Sequence, residues 1–504
     1  MMHTLAQLLS KIEYTPVGEH DISDVCVSSV TRDSRNASAG SLFVCIKGAS
    51  FDGHDYAMSA YSNGCRYFLT EHAITLPSDA IQITTKDTRI ALAYISAEFF
   101  SHPSKELHIV GITGTKGKTT TALTAYHLLN SLGMKAGYIG SNGIQFDSYC
   151  YSTANTTPES YELHKYMRLM VDAGVKYLIM EVSSQAVYMN RIHGIEFTTA
   201  VFTNLSRDHI GGNEHPTFEH YRDSKKRLFT DFGAKNIIYN ADDPHAEYMI
   251  SEAKCNKTSC SYGNTKNASL RVMNAKQKSH TGSIGVSFDI TNGEQIFASS
   301  VSAPGIFSVY NALLASAICV SLGASLRKIA NTLPDISIKG RFECVDVLQG
   351  VPFIIDYAHN GASLTAALNA LREYSPRRLI CLFGSVGGRT KERRAELGDA
   401  ASALADLSIL TADNPDFETP ESVISDIEKS YLKRGLTLNK DYVKIPDRRE
   451  AIRYAVKEAR RGDIVLLAGK GHEDYQLING KKLPFSELAI LKEAASELEV
   501  GELV

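Results

Sequence analysis

Apolar runs alternate with segments of helical periodicity from about residue 107 onward. The strand-like runs are LHIVGIT (107–113), KYLIMEV (176–182), FTTAVFTNL (197–205) and NIIYN (236–240). Helical periodicity covers about 118–132, 158–172, 217–231 and 308–323. Because buried strands that alternate with amphipathic helices are typical of parallel sheets covered on both faces, we predict such a sheet here.

A second set of alternating elements follows a change of composition at residues 333–343. Its apolar runs are FIIDYA, RLICLFG, LSILTAD and DIVLLAGKG, with helices near 361–373, 391–405, 420–433, 447–460 and 484–497. Residues 1–105 carry shorter runs between turn signals, which indicate a small mixed α/β domain. We therefore predict an α/β protein of three domains: a small α/β domain (1–106), a central parallel-sheet domain (107–336) and a C-terminal Rossmann-like domain (337–504).

Composition narrows the class of protein. The 504 residues are 43% hydrophobic and 22% charged with a net charge of −3, which is ordinary for a globular protein and excludes nucleic acid as the main partner. The nine cysteines include no C-x-x-C pair, so we expect reduced thiols. No signal peptide and no apolar run near the ~18 residues of a membrane span are found. We expect a cytoplasmic monomer that binds neither membrane nor nucleic acid.

The stretch GITGTKGKTTT (111–121) follows a predicted strand and opens a predicted helix. Its glycines Gly114 and Gly117 allow backbone N–H groups to face an anion at the helix N-terminus. Lys118 is placed to neutralise phosphate charge, and the Thr119 hydroxyl to bind Mg²⁺. The alternative is a glycine-rich turn that binds nothing, which the flanking strand and helix make less favourable.

Two further strand ends carry candidate metal ligands. KYLIMEV ends at Glu181 and FTNLSRDH ends at His209, both at the edge where parallel sheets bind ligands. A solvated strand end and a structural histidine are the alternatives. The helical periodicity of YRDSKKRLF predicts that Lys225 is an ordinary surface lysine.

These motifs together resemble the Mur ligases, which form amide bonds with ATP in peptidoglycan synthesis. TRDSRNASAGSLFVCIKGASFDGHDY is similar to the uridine-binding domain of the MurE branch, which adds the third peptide residue to UDP-N-acetylmuramoyl-L-alanyl-D-glutamate. ANTTP, GRFE, DYAHN, DNP and GKGHED match that branch in the same order. The resemblance covers nearly the whole chain.

The resemblance implies a set of roles for individual residues. ATP would be bound by Gly114, Thr115, Lys116, Gly117, Lys118, Thr119, Thr120, Arg341, His359 and Asn360. The UDP-linked substrate would be bound by Ser34, Gly48, Ala49, Ser50, Asn155, Thr156, Thr157, Ser183 and Arg191. The added amino acid would be bound by Arg389, Asp413, Asn414, Asp416, Gly469 and Glu473.

The resemblance also implies the cofactors and the chemistry. Two Mg²⁺ ions would be held by Thr119, Glu181, His209 and a carbamylated Lys225, and Lys118, Glu181, His209 and Lys225 form the implied catalytic set. The D-glutamate carboxylate would become an acyl phosphate, which the amine of the added amino acid then attacks. Two residues depart from the usual pattern: Lys116 replaces an asparagine, and Gln185 replaces a histidine after E-V-S-S.

The added amino acid is predicted from the motif D-N-P-D (413–416). Diaminopimelate-adding relatives resemble one another in reading D-N-P-R, whose arginine pairs with the distal carboxylate of that substrate. Asp416 would repel a carboxylate and attract an ammonium, so we expect L-lysine, with ornithine or meso-diaminopimelate as alternatives. Arg389 is similar to an arginine that contacts the substrate in diaminopimelate-adding relatives, which favours diaminopimelate; the alternative is that it pairs with the α-carboxylate common to every amino acid.

Other functions remain in competition at this point. Two alternative enzymes belong to the same superfamily. The E-V-S-S and G-K-G-H-E-D motifs argue against MurF, and the uridine-type domain argues against folylpolyglutamate synthetase. A nucleotide-binding protein without catalysis would bind ATP but not turn it over. A nucleic-acid motor would show a basic stripe, which the sequence does not carry.

Overall fold

The structure is a computed structural model that describes residues 3–48, 51–212, 214–263, 265, 267–280, 283–388 and 390–501. The chain divides into two compact units, one of residues 1–269 and 314–324 and one of residues 270–313 and 325–504. The prediction of an α/β fold with N-terminal, central and C-terminal domains is confirmed. Its boundaries at 106 and 336 stay predictions.

The first unit begins with a small sheet. Its strands are β2 (Tyr14–Val17), β4 (Ser29–Thr31), β5 (Ser41–Val44), β6 (Tyr67–Thr70) and β7 (Ile81–Thr85), while β1 (His3–Thr4) and β3 (Cys26–Val27) form a separate antiparallel pair. Its helices are α1 (Leu5–Leu8), α2 (Ala57–Ser62) and α3 (Thr88–Phe99). The order is β2-β7-β6-β5-β4, with β2 antiparallel to β7 and the other pairs parallel. β5 is buried along its whole length, although β6 is the middle strand of the sheet.

The rest of the first unit contains the central sheet. Its strands are β8 (His108–Thr113), β9 (Ala136–Gly140), β10 (Gly143–Phe146), β11 (Tyr149–Tyr151), β12 (Tyr177–Glu181), β13 (Thr199–Phe202), β14 (Asn236–Asn240) and β15 (Asn256–Ser261). Its helices are α4 (Lys118–Ser131), α5 (Ser160–Asp172), α6 (Ser184–Tyr188), α7 (Phe218–Thr230) and α8 (Ala246–Ile250). The order is β11-β10-β9-β12-β8-β13-β14-β15, parallel from β9 to β15. β8 and β12 therefore end side by side.

The second unit begins with an antiparallel meander of β16 (Leu270–His280), β17 (Ser283–Thr291) and β18 (Ile296–Val301). Two helices follow, α9 (Ile306–Ser321) and α10 (Leu326–Thr332). The chain passes from the second unit back into the first within α9.

The C-terminal sheet completes the second unit. Its strands are β19 (Glu343–Leu348), β20 (Val351–Asp356), β21 (Leu379–Phe383), β22 (Leu407–Leu410), β23 (Tyr442–Lys444) and β24 (Ile464–Ala468), followed by a hairpin of β25 (Tyr475–Ile478) and β26 (Lys481–Pro484). Its helices are α11 (Gly361–Arg372), α12 (Lys391–Leu404), α13 (Pro420–Lys433), α14 (Arg448–Glu458) and α15 (Glu487–Gly501). The order is β19-β20-β24-β21-β22-β23, parallel except at β19. DYAHN, DNPD and GKGHED lie at the carboxyl ends of β20, β22 and β24.

Some elements differ from the sequence prediction. The hairpin β25–β26 was not predicted, and the last helix begins at Glu487 rather than near 484, because Pro484 ends β26. All nine cysteines are free. None of the helices in the described part of the chain combines the length and apolar composition that a membrane crossing requires.

Candidate functional site

The glycine-rich loop joins β8 to α4 in the conformation that an anion-binding loop needs. Gly114 and Gly117 have φ of +150° and +82°, values that favour glycine. Lys118 begins α4, with Thr120 in the same first turn, and its Nζ donates to the carbonyl oxygens of Gly114 (2.9 Å) and Thr115 (3.0 Å). The lysine therefore folds back over the loop, where it can meet a bound phosphate.

Thr119 and Glu181 form the buried centre of this edge. The Thr119 hydroxyl donates to Glu181 Oε2 at 3.0 Å, because β8 and β12 are adjacent and parallel. Tyr138 OH and the Ser141 N–H, at the end of β9, donate to Glu181 Oε1 at 2.6 and 2.9 Å. A hydroxyl and a carboxylate side by side are oxygen ligands suited to Mg²⁺, so the residues present fit this ion.

The segment T-N-L-S-R-D-H (203–209) supports the loop from the other side. Asn204 Oδ1 accepts from the Lys116 N–H (3.0 Å), and the Thr203 hydroxyl donates to the Lys116 carbonyl (2.7 Å). The Lys116 ammonium, which departs from the usual asparagine, pairs with Asp208 Oδ2 at 2.9 Å. Its charge is therefore balanced within the protein.

Lys225 is buried, and its interpretation as a surface lysine was wrong. Only 1% of the residue is exposed, and its Nζ donates to the Gly114 carbonyl at 2.9 Å. Burial lowers the pKa of the Lys225 ammonium well below its usual range, and the neighbouring Lys118 lowers it further. Periodicity missed this position because α7 packs this polar side chain against the loop and the Tyr221 ring.

His209 lies beside the same ring but remains half exposed. Its ring centroid is 6.0 Å from that of Tyr221, and Nδ1 is 2.9 Å from Glu214 Oε1. A second histidine nearby, His215, was missed by sequence reasoning. It is buried, with Nε2 2.9 Å from Ser184 Oγ and Nδ1 2.8 Å from His220 Nδ1.

The residues predicted for the muramoyl dipeptide adjoin Glu181. The Thr157 hydroxyl donates to the Glu181 carbonyl oxygen at 2.9 Å and accepts from the Ser183 N–H at 3.1 Å. Arg191 is buried, lies 2.9 Å from Glu159 and donates to the Thr157 carbonyl at 3.2 Å. Ser141 and Thr156 hydroxyls are 3.0 Å apart, while Asn155 is exposed.

The residues predicted for the uridine end lie in the small sheet domain. Ser34 is buried, and its carbonyl accepts from the Asn63 amide at 2.8 Å. Gly48 is exposed and its N–H donates to the Phe51 carbonyl at 2.8 Å. Ala49 and Ser50 lie outside the described residues.

In the second unit, Arg341 and His359 contact Tyr357, and Asn360 follows at the start of α11. The Arg341 guanidinium lies 4.8 Å from the Tyr357 ring centroid, and His359 Nδ1 is 2.8 Å from the Tyr357 carbonyl oxygen. Asn360 caps α11, because its Oδ1 accepts from the Ser363 N–H at 2.9 Å. The proximity of these side chains was expected, but the helix cap was not.

Asp413, Asn414 and Glu473 meet around a lysine that sequence reasoning missed. The Lys470 ammonium lies 2.9 Å from Asn414 Oδ1, 3.1 Å from Glu473 Oε2 and 3.5 Å from Asp413 Oδ1. Gly469 has a φ of +113°, and a Cβ there would stand 2.9 Å from Asp413 Oδ2. The negative charge of Asp413 and Glu473 is thus partly neutralised. Arg389 lies outside the described residues.

Asp416 holds the hairpin β25–β26. Its N–H donates to the Leu477 carbonyl, its carbonyl accepts from the Asn479 N–H, and its Oδ1 accepts from the Gly480 N–H, at 2.9, 2.9 and 2.7 Å. The residue has a φ of +53°, which is unusual for a non-glycine residue. One carboxylate oxygen at the predicted specificity position therefore stabilises a turn.

Known protein families match parts of both units of the chain. Models described as Mur ligase family, catalytic domain; Mur ligase middle domain; and Mur ligase, glutamate ligase domain match residues 27–100, 112–319 and 340–471. The chain is 37% identical over 497 residues to the UDP-N-acetylmuramoyl-L-alanyl-D-glutamate--2,6-diaminopimelate ligase of Clostridium botulinum, covering 97% of this chain and 99% of that protein. The chain belongs to the Mur ligase family.

Further similar proteins carry the same enzyme name. The ligases of the same name from Caldanaerobacter subterraneus and Geobacillus thermodenitrificans are 37% and 36% identical, covering 98% and 94% of this chain and 99% and 95% of those proteins. A solved structure of a ligase of that name is 26% identical, with a TM-score of 0.71, and covers 99% of this Mur ligase and 100% of that chain. The resemblance to the MurE branch is thereby confirmed.

The rival enzymes share the fold at lower identity. MurF from Acinetobacter baumannii is 18% identical with a TM-score of 0.64, covering 98% of this chain and 99% of that one. A folylpolyglutamate synthase from Mycobacterium tuberculosis is 15% identical with a TM-score of 0.59, covering 82% and 95%. This Mur ligase is an ATP-dependent, amide-bond-forming enzyme, as predicted.

Proposed function

We propose that this Mur ligase joins an amino acid to the D-glutamate carboxyl group of UDP-N-acetylmuramoyl-L-alanyl-D-glutamate, in the cytoplasmic stage of peptidoglycan synthesis. The observation that carries the proposal is the position of Glu181. Its carboxylate accepts from Thr119 of the phosphate loop, and its backbone carbonyl accepts from Thr157 of the predicted dipeptide site. A phosphate donor and a carboxylate acceptor bound by these two groups would be neighbours.

The proposed reaction follows from the proximity of the bound phosphate donor and the bound carboxylate. A D-glutamate carboxylate oxygen would attack the γ-phosphorus of ATP, forming a C–O–P linkage as ADP leaves. The amine of the added amino acid would then attack the acyl carbon, lose a proton and release phosphate. Mg²⁺, when bound, would offset the charge of the phosphates. Lys118 is placed to stabilise the charge that gathers on the transferred phosphoryl group.

Thr119 and Glu181 would hold one ion, and His209 with a carbamylated Lys225 the second. Carbamylation joins an uncharged amine to CO₂ and releases a proton, which turns a cation into a carboxylate-like anion. The burial of Lys225 against the Gly114 carbonyl favours this modification, because a permanent ammonium beside Lys118 would be costly there. A carbamate would supply the anionic ligand that unmodified Lys225 lacks.

We propose L-lysine as the added amino acid. Asp413, Asp416 and Glu473 carry three negative charges, against the one positive charge of Lys470. An ammonium at the distal end of the substrate would meet a favourable field there, and a carboxylate would not.

meso-Diaminopimelate is a second candidate, which the names of the relatives favour. An activity assay distinguishes lysine from meso-diaminopimelate as the added amino acid. The protein is incubated with ATP, Mg²⁺, UDP-muramoyl-dipeptide and one of lysine, ornithine or meso-diaminopimelate. Phosphate release and product mass are then measured. Product with lysine or ornithine alone supports the argument from Asp416. Product with diaminopimelate alone overturns it, and no product with any of the three overturns the proposed reaction. Lys118→Ala serves as the inactive control.

A further inference from the structure

A buried ammonium lies beneath the proposed amino-acid site. Lys470 follows β24, and its side chain is fully shielded from solvent. Its Nζ is within 3.5 Å of three carboxylate or amide oxygens, those of Asn414, Glu473 and Asp413. Burying a lysine ammonium is costly in free energy unless the ammonium is paired. The three paired oxygens around Lys470 therefore indicate that its ammonium has a specific role in this site.

The ammonium determines how Asn414 is turned. An ammonium can only donate, so Asn414 must direct its oxygen toward Lys470. The Asn414 amide nitrogen is then left to donate to Glu473 Oε2, at 2.9 Å. The same Asn414 oxygen also accepts from the Leu477 N–H at 2.9 Å. Lys470 thus orients the amide, the carboxylate and the first strand of the hairpin together.

The ammonium also sets the charge of the site. Among the three residues Asp413, Glu473 and Lys470, the carboxylates contribute −2 and the ammonium contributes +1, which leaves −1; Asp416 on the hairpin adds one further negative charge. Asp413 Oδ1 is buried, and its contact with the Lys470 ammonium at 3.5 Å is an ion pair without a hydrogen bond in the part of the chain that the structure describes. Such an oxygen is ready to accept from a cationic substrate group.

We propose that Lys470 is the positioning residue of the amino-acid site: it orients Asn414 and Glu473 toward the amino acid and holds the charge of the site that it forms with Asp413 and Glu473 at −1. This inference rests on the proposed function. A site of that charge suits a substrate whose net charge is +1, such as lysine, better than one whose net charge is zero, such as diaminopimelate.

The kinetic test compares Lys470→Met with Lys481→Met, a matched control on the exposed hairpin strand β26. We expect Lys470→Met to raise KM for the amino acid at least 10-fold, while KM for ATP and for the UDP-linked substrate stays within 2-fold, on the order of the effects seen for supporting residues of binding sites. The ratio of kcat/KM for lysine over diaminopimelate should also rise, because the site becomes more negative. A purely structural role would instead move all three KM values together.

Hydrogen exchange tests the geometry without any turnover. The Leu477 amide should exchange faster in Lys470→Met than in the wild-type protein, and it should not change in Lys481→Met. If Lys470→Met does not fold, Lys470→Met/Glu473→Gln restores the site charge of −1 and should show the same faster exchange.

The outcomes separate this inference from the proposed function. Wild-type turnover combined with an unchanged amino-acid KM in Lys470→Met, or with unchanged exchange at Leu477, overturns the inference alone. A wild-type protein that forms no product with any amino acid overturns the proposed function and the inference with it.

Discussion

Lys118 and Lys225 donate to the same oxygen, the carbonyl of Gly114, each at 2.9 Å. Two ammonium groups so close together repel each other unless one loses its charge or an anion joins them. Phosphate, or a carbamate on Lys225, would relieve this repulsion. The arrangement connects α7 to the phosphate loop across 111 positions of sequence.

Lys225→Ala should lower kcat by roughly 10²–10³-fold, the size of effect found when a charge-stabilising group is removed from an active site. The neighbouring Lys226→Ala should remain near wild-type activity, since Lys226 pairs with Glu252 on the surface. Added acetate should partly restore Lys225→Ala if a carboxylate-like group is needed there. Phosphate release measures all three, and full activity of Lys225→Ala would contradict the role.

Glu181→Gln should raise the Mg²⁺ concentration needed for half-maximal activity about 10–100-fold, because an amide is a weaker ligand than a carboxylate. Tyr138→Phe is the milder comparison: it removes one hydrogen bond to Glu181 and should cost about 1 kcal/mol of unfolding free energy. Mg²⁺ titrations of phosphate release give the first quantity and urea unfolding the second. An unchanged Mg²⁺ dependence in Glu181→Gln would argue against metal binding there.

Asp416→Asn and Asp416→Ala separate two effects of one side chain. Asparagine removes the charge but can still accept from the Gly480 N–H, whereas alanine removes both. We expect Gly480 exchange to accelerate only in Asp416→Ala. Both variants should lose discrimination against diaminopimelate. If Asp416→Asn keeps that discrimination, position 416 acts through the hairpin and not through its charge.

Arg448 should be a strong determinant of stability in the second unit. It is buried, donates to Glu487 Oε1 at 2.9 and 2.7 Å, and donates to the carbonyls of Ala412 and Ala468. Arg448→Met should cost about 3–5 kcal/mol, because Glu487 is left buried without its partner. Urea unfolding of the protein measures this loss of unfolding free energy.

Two comparisons complete that test. Arg449→Met, at an exposed pair with Glu493, should cost less than about 1 kcal/mol. Adding Glu487→Gln to Arg448→Met should recover part of the loss. A cost for Arg448→Met as small as that for Arg449→Met would show that the buried pair contributes little.

His164 should make stability depend on pH. Burial lowers its pKa to about 4, below the ordinary value of 6.5, and outweighs the opposing effect of the His193 backbone. The unfolded chain therefore takes up a proton more readily than the folded chain as pH falls below 6.5. The resulting loss of unfolding free energy begins there and is complete near pH 4.

His164→Leu removes this titration. Between pH 8 and pH 5 the wild-type protein should lose about 2 kcal/mol more unfolding free energy than His164→Leu. Urea unfolding at the two pH values measures the difference, and contributions from other histidines cancel between the two proteins. Equal losses in both would contradict a buried, neutral His164.

The sequence by itself determined the fold class and the phosphate loop. β14 lies at Asn236–Asn240, as its apolar run predicts, and α4 follows the glycines at Lys118. Both features depend on local periodicity and on residues close together in the chain. The expectation for Lys225 came instead from resemblance, since composition and spacing left it as a surface residue.

The tertiary structure decided which side chains meet. Thr119 and Glu181 are 62 positions apart, and Lys470 and Asn414 are 56 apart, so only strand order and register bring them together. The same holds for the burial of Lys225 and for the hydrogen bond that ties Asp416 to Gly480. Whether a charged side chain is solvated or paired depends on its neighbours in space, and a linear pattern carries no record of those neighbours.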